Sequence, residues 1–224
     1  MSETLRPRIF LLSPANCGGA RARMIASPSA EFELARRLRA PAGAPLGDVF
    51  SFVSGLYFRG KLAYARRFAR PPDPGDPVIA GGVLAITPNA GLRSVDTRVT
   101  LESLRAFAAV DIDLGNPRYA RPLAASARAV GEAAGPDCEI VLLGSIASGK
   151  YVELLLPIFG DRLLFPPDFI GRGDMSRGGL MLRCVLADSE LPYVPLRGAV
   201  RHGARPPRLE PLRGPGRKPA ADRR

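Results

Sequence analysis

Cys138-Glu-Ile-Val-Leu-Leu-Gly-Ser-Ile-Ala-Ser-Gly-Lys-Tyr151 is an apolar run that breaks into glycine and serine, meets a lysine, and resumes as Val152 to Gly160. A second apolar run, Leu163-Leu-Phe-Pro-Pro167, breaks into Gly171-Arg-Gly-Asp-Met-Ser-Arg-Gly-Gly179. This order is strand, loop, helix, strand, loop, helix, with small and charged residues where a parallel sheet presents its ligand edge. It predicts an α/β fold: one three-layer domain over residues 1–200, with a mostly parallel central sheet of about five strands. Residues 201–224, rich in Arg, Pro and Gly, have almost nothing to bury and are expected to form a disordered basic tail.

The chain has 224 residues, enough for one sizeable core, and a net charge of +11. The tail holds eight basic and two acidic residues, so it carries +6 and the rest of the chain +5. A basic balance of this kind attracts polyanions over long range and favours a nucleic-acid or nucleotide partner. Cys17, Cys138 and Cys184 are odd in number and widely spaced. They suggest neither a disulfide framework nor a zinc site, so a cytoplasmic location is expected, with no metal and no cofactor. No apolar run approaches the ~18 residues a bilayer demands, and Ile9-Phe-Leu-Leu12 reads as a first strand instead of an export signal.

After that strand, Ala15-Asn16-Cys17-Gly18-Gly19 is a glycine-rich loop opening towards a helix, able to bring backbone N–H groups to an anion. Cys17 at a helix start is a candidate thiolate. The only histidine, His202, lies in the tail, so no Cys–His pair can form in the core. Glu31 to Arg39 has helical spacing, and Val49 to Ser54 reads as a second strand. A helix then runs to about Arg70, with Phe58, Leu62, Ala65 and Ala69 towards the core and Arg59, Arg66 and Arg70 on another side. The prolines of 71–77 make a rigid loop. Val78 to Thr87 is a third strand, with a hairpin expected around Gly81-Gly82, and Thr100 is a helix N-cap for Leu101 to Val110. Asp111 and Asp113 read as a polar connection more than as a carboxylate pair, and Arg118 to Ala134 is a helix.

Gly144 to Lys150 fits Gly-x4-Gly-Lys between a strand and a helix, the setting of a phosphate-binding P-loop. Tyr151, however, stands where a Ser or Thr would hold magnesium. An anion-binding helix start that uses Ser145, Gly149 and Lys150 without magnesium chemistry is the better expectation. In the second cluster Asp174 is placed to cap a helix over Leu180 to Ala187. Gly178-Gly179 in its first turn costs about 1 kcal/mol per glycine against alanine, which implies that backbone or ligand comes close there.

Ser54-Gly-Leu-Tyr-Phe-Arg-Gly-Lys-Leu-Ala-Tyr-Ala-Arg66, Ile86-Thr-Pro-Asn-Ala-Gly-Leu92 and the late Gly-Lys-Tyr and Gly-Arg-Gly elements resemble the bacterial peroxide-stress (YaaA-like) group. The resemblance spans roughly residues 8 to 188 and implies a cytoplasmic α/β protein that associates with DNA. It assigns no catalytic residue, and the 71–77 loop and the basic tail depart from the group's pattern.

The expected working edge therefore gathers Asn16, Cys17, Tyr57, Arg59, Lys61, Asn89, Ser145, Gly149, Lys150, Arg172 and Arg177 for phosphate binding. The leading function is binding of nucleic acid or nucleotide phosphate. The alternative is an enzyme acting on a nucleoside or nucleobase in nucleic acid, with Asp174 or Asp96 as acid and base. A P-loop-type nucleoside triphosphatase is the third reading.

Overall fold

All four side chains of Ile9-Phe-Leu-Leu12 are fully buried, because the strand they form is covered on both faces. The computed structural model describes residues 6–147 and 149–209. In chain order the elements are β1 (Arg8–Leu12), α1 (Ala20–Ala26), α2 (Glu33–Arg39), β2 (Ala44–Pro45), α3 (Leu46–Ser54) and α4 (Leu56–Phe68). Next come β3 (Val83–Thr87), β4 (Gly91–Ser94), β5 (Arg98–Val99), α5 (Leu101–Ala108), α6 (Pro117–Ala134) and β6 (Glu139–Leu143). The last four are α7 (Gly149–Phe159), β7 (Leu163–Phe165), α8 (Asp174–Leu186) and β8 (Val194–Pro195).

The main sheet has six strands in the order β4-β3-β1-β6-β7-β8. The inner four are parallel and the two edge strands antiparallel. The period-two alternation of a strand divides its apolar residues between two cores. Phe10, Leu12, Val83, Ala85, Val141 and Leu143 face a layer built by α1 to α5 and α8. Ile9, Leu11, Leu84, Ile86, Ile140 and Leu142 face α6 and α7. β2 and β5 form a separate two-stranded ribbon. The α/β class and the mostly parallel sheet agree with the sequence reading, with six strands where about five were expected.

Residues 49–54 are a correction. They lie in α3, where the buried Leu46, Val49, Phe50 and Val53 recur at i, i+3, i+4 and i+7. A short apolar run fits a strand or a buried helix, and here the helical period prevails. Two boundaries also move. Residues 80–82 form a 3₁₀ turn, so β3 begins only at Val83, and the hairpin reversal lies at Pro88–Ala90, between β3 and β4. α8 begins at Asp174 instead of Leu180, and Gly173, not Asp174, is its N-cap.

Gly178 has a packing role. A Cβ on it would sit 2.8 Å from the Leu56 carbonyl oxygen, and one on Gly60 would sit 2.6 Å from the Gly178 carbonyl oxygen. α4 and α8 thus cross backbone to backbone. The close approach that Gly178-Gly179 implied is made by the α4 backbone. Residues 201–209 carry no helix or strand, but the segment passes against Gly171 and Ile170 and receives a 3.5 Å bond from Arg172 to the Pro207 carbonyl. The rest of the expected tail, 210–224, lies outside the described residues.

Candidate functional site

From β1 the chain turns into the layer that holds α1, whereas from β6 it turns into the layer that holds α7. Neighbouring parallel strands whose connections diverge leave a crevice at their carboxyl ends, where open α/β sheets receive ligands. A cleft of about 890 Å³ occupies that position. Its floor and walls include Ser13 after β1, Pro88 after β3, Ser145 after β6, and the N-terminal turns of α4, α7 and α8.

Lys61 is the main feature of the floor. Tyr57 and Lys61 are four residues apart, so α4 presents both on one face. Lys61 is 1% exposed, and its ammonium donates to the Ser13 carbonyl at 2.7 Å and to Ser13 Oγ at 2.8 Å. It also lies 4.5 Å from the Tyr57 ring centre and 4.7 Å from that of Phe58. Among the described residues no carboxylate forms an ion pair with it. Burial lowers its pKa to about 7, with Asp174 opposing and Arg177 assisting the shift.

Two tyrosines flank the lysine. The Tyr57 hydroxyl is buried without a hydrogen-bond partner. Burial raises its pKa, and the Arg177 guanidinium beside it offsets part of that rise. The Tyr151 hydroxyl donates to the Ser145 carbonyl at 2.6 Å, and burial pushes its pKa up to about 12. Gly144 makes this meeting possible, since a Cβ there would lie 2.7 Å from Ser13 Cβ and 2.8 Å from the Tyr151 oxygen. Arg177 lies beneath the rim, donating to the Phe169 carbonyl at 3.0 and 3.1 Å and pairing with Asp174 at 3.3 Å. Phe107 and Val110 supply an apolar wall, and Asp111, Asp113 and Asp174 an acidic rim.

Of the residues expected at the working edge, Asn16, Cys17, Tyr57, Lys61, Ser145, Lys150 and Asp174 line the cleft. Gly149 opens α7 beside it. The others are placed elsewhere or otherwise engaged. Asn89 spends its amide on the Ala106 carbonyl. Arg59 is exposed on α4 away from the cleft lining, Arg66 pairs with Asp96 at 2.7 Å, and Arg70 pairs with Glu190. Asp96 is therefore not brought together with Asp174. Arg172 lines a separate groove of about 410 Å³ between α8 and residues 205–209.

Cys17 is at the cleft but not as a thiolate. Helix α1 begins three residues later, at Ala20, and burial pushes the thiol up to about 12. The sequence reading missed Ser13, the residue that follows the first strand. It noted Tyr151 only as a departure from the P-loop pattern. No family model, curated protein or solved structure matches the chain.

Proposed function

We propose that this chain binds the phosphate of a nucleotide in the cleft between the ends of β1 and β6, without hydrolysing it. The observation that carries this reading is Lys61, a buried cation on the cleft floor whose protein partners are the oxygens of a serine and no carboxylate. A buried charge without a counter-ion is costly, and an anionic ligand held in the same cleft would offset part of that cost. The N-terminal turns of three helices border the same space and add positive potential, as does the exposed Lys150. The volume suits a nucleotide, with the apolar wall for a base and the acidic rim for ribose hydroxyls.

Tyr151 favours binding over triphosphate hydrolysis. Its ring is buried and its hydroxyl is held on Ser145, where a P-loop would place a free hydroxyl on magnesium. The resemblance to the peroxide-stress group and the basic tail favour a nucleotide that is the end of a nucleic-acid strand. The arginines of the neighbouring groove continue from the cleft rim at Met175, which both spaces share.

Calorimetric titration with AMP, adenosine, inorganic phosphate and short single strands with or without a 5′-phosphate tests the reading. Binding should require the phosphate. Lys150→Ala should weaken it about tenfold or more while leaving the fold intact. Equal affinity for adenosine and AMP, or no binding of any phosphate ligand, would overturn it. Magnesium-dependent ATP or GTP turnover that vanishes with Lys150→Ala would favour the hydrolytic alternative instead.

A further inference from the structure

Three of the 32 basic residues of this chain are lysines, Lys61, Lys150 and Lys218, and only Lys61 is on the cleft floor with its amine enclosed. An arginine would satisfy a need for charge alone, and arginine is what the chain uses almost everywhere else. A primary amine differs in being able to become a nucleophile. The two bonds to Ser13 hold Nζ in place and use two of its hydrogens, and the remaining valence has no protein partner among the described residues. Nζ lies over the Tyr57 ring, 4.5 Å from its centre, and the hydroxyl of that ring is buried without a hydrogen-bond partner.

We propose that Lys61 forms an imine with the carbonyl carbon of a phosphorylated open-chain sugar bound in this cleft, with Tyr57 hydrogen-bonding the carbonyl oxygen. The inference rests on the phosphate-binding reading of the same cleft and adds a reaction to it: the phosphate lies at Lys150 and the helix N-termini, and Lys61 reacts in its neutral form. The neutral amine attacks the carbonyl carbon, the C–N bond forms, and the oxygen takes up one proton from the nitrogen. The resulting carbinolamine loses that oxygen as water, with the second nitrogen proton leaving in the same molecule. The products are one imine and one water, with no oxidant or reductant.

The environment favours the reactive form. With its pKa near 7, about half of Lys61 is neutral at pH 7, against roughly one in three thousand for an ordinary lysine. The Tyr57 hydroxyl is kept protonated by burial and so remains a donor. The apolar rings of Tyr57 and Phe58 against the amine limit the water that would hydrolyse the imine.

The full-length protein is incubated at pH 7.5 with 2-deoxyribose 5-phosphate and sodium cyanoborohydride, and the reduced adduct is located by peptide mass mapping. One adduct should form, on Lys61, at least about tenfold faster than on Lys150 or Lys218. Tyr57→Phe, which keeps the ring, should slow it several-fold. Lys61→Met should abolish it while leaving Lys150 and Lys218 as reactive as before. Labelling spread evenly over the three lysines, or absent from Lys61, overturns the proposal. If AMP binds and no Lys61 adduct forms, the imine fails and the phosphate site stands. If the adduct forms equally with phosphate-free deoxyribose and AMP does not compete, the imine stands and the phosphate reading fails.

Discussion

Replacing Lys61 by Met removes the buried amine while keeping a flexible chain of similar length, and its effect should depend on pH in a defined way. The folded-state pKa of about 7 lies below the ordinary lysine value of 10.5, so between those limits the unfolded chain binds more protons than the folded one. Stability therefore rises with pH across that window. The penalty is fully present below pH 7 and gone above 10.5. Its full size is about 5 kcal/mol, of which about 4 remain at pH 7 and about 2 at pH 9. Methionine avoids that cost but leaves the carbonyl and hydroxyl of Ser13 without their donor, a loss of about 1–3 kcal/mol.

The variant should thus be more stable than the wild type at pH 6–7, and its advantage should shrink by about 2 kcal/mol between pH 7 and 9. Urea denaturation of both proteins at several pH values reads the difference directly. Asp174, Arg177 and Tyr57, the groups that face the lysine, are common to both and largely cancel in the comparison. Stability curves that stay parallel from pH 6 to 9 would refute the reasoning, because the lysine would then have an ordinary pKa.

Gly178→Ala should cost about 1–3 kcal/mol in urea denaturation, since its Cβ would meet the Leu56 carbonyl oxygen and Tyr57 Cα of α4 at 2.8 and 3.0 Å. Cys17, with its thiol pushed up to about 12, should resist iodoacetamide at pH 8 in the native protein and react once urea unfolds it, as followed by mass spectrometry. Deleting residues 210–224, and so leaving the segment that lies against Gly171 and Arg172, should flatten the salt dependence of DNA binding, because five basic residues are lost.

The layer architecture was legible because buried parallel strands leave a plain signal: Ile9–Leu12, Ile140–Leu143 and Leu163–Phe165 are unbroken apolar runs, closed by Ser13-Pro14, Gly144-Ser145 and Pro166-Pro167. Val49–Ser54 was not legible, because a short apolar segment of Val, Phe and Ser satisfies both periods until its neighbours are known. Half of the site was legible for a similar reason. Residues on loops that follow strands, such as Asn16 and Ser145, and Lys150 in the first turn of the helix that follows, declare themselves by position. Ser13 and the carbonyl of Ser145 act through contacts that only the folding of α4 and α7 onto the sheet creates. The arginines were overread, since their charge is visible in the sequence but their partners Asp96, Glu190 and the Phe169 carbonyl are not.

The opposite ends of β1 show why Lys61 stands apart from those arginines. At the amino end, Arg8 is tied to Glu139 and Glu190, and Arg70 joins the same Glu190. There the half-buried cation is matched by carboxylates, and the arrangement is structural. At the carboxyl end, one turn of chain beyond Leu12, Lys61 has a serine for its partner, a tyrosine ring for its neighbour, and an open cleft above it. The same strand could carry the first kind of pairing at both ends, and a carboxylate in place of Ser13 would relieve the cost of burying the lysine. That cost is tolerated at the end where diverging connections open the sheet to a ligand, which is where a destabilised amine can do chemistry that a paired guanidinium cannot.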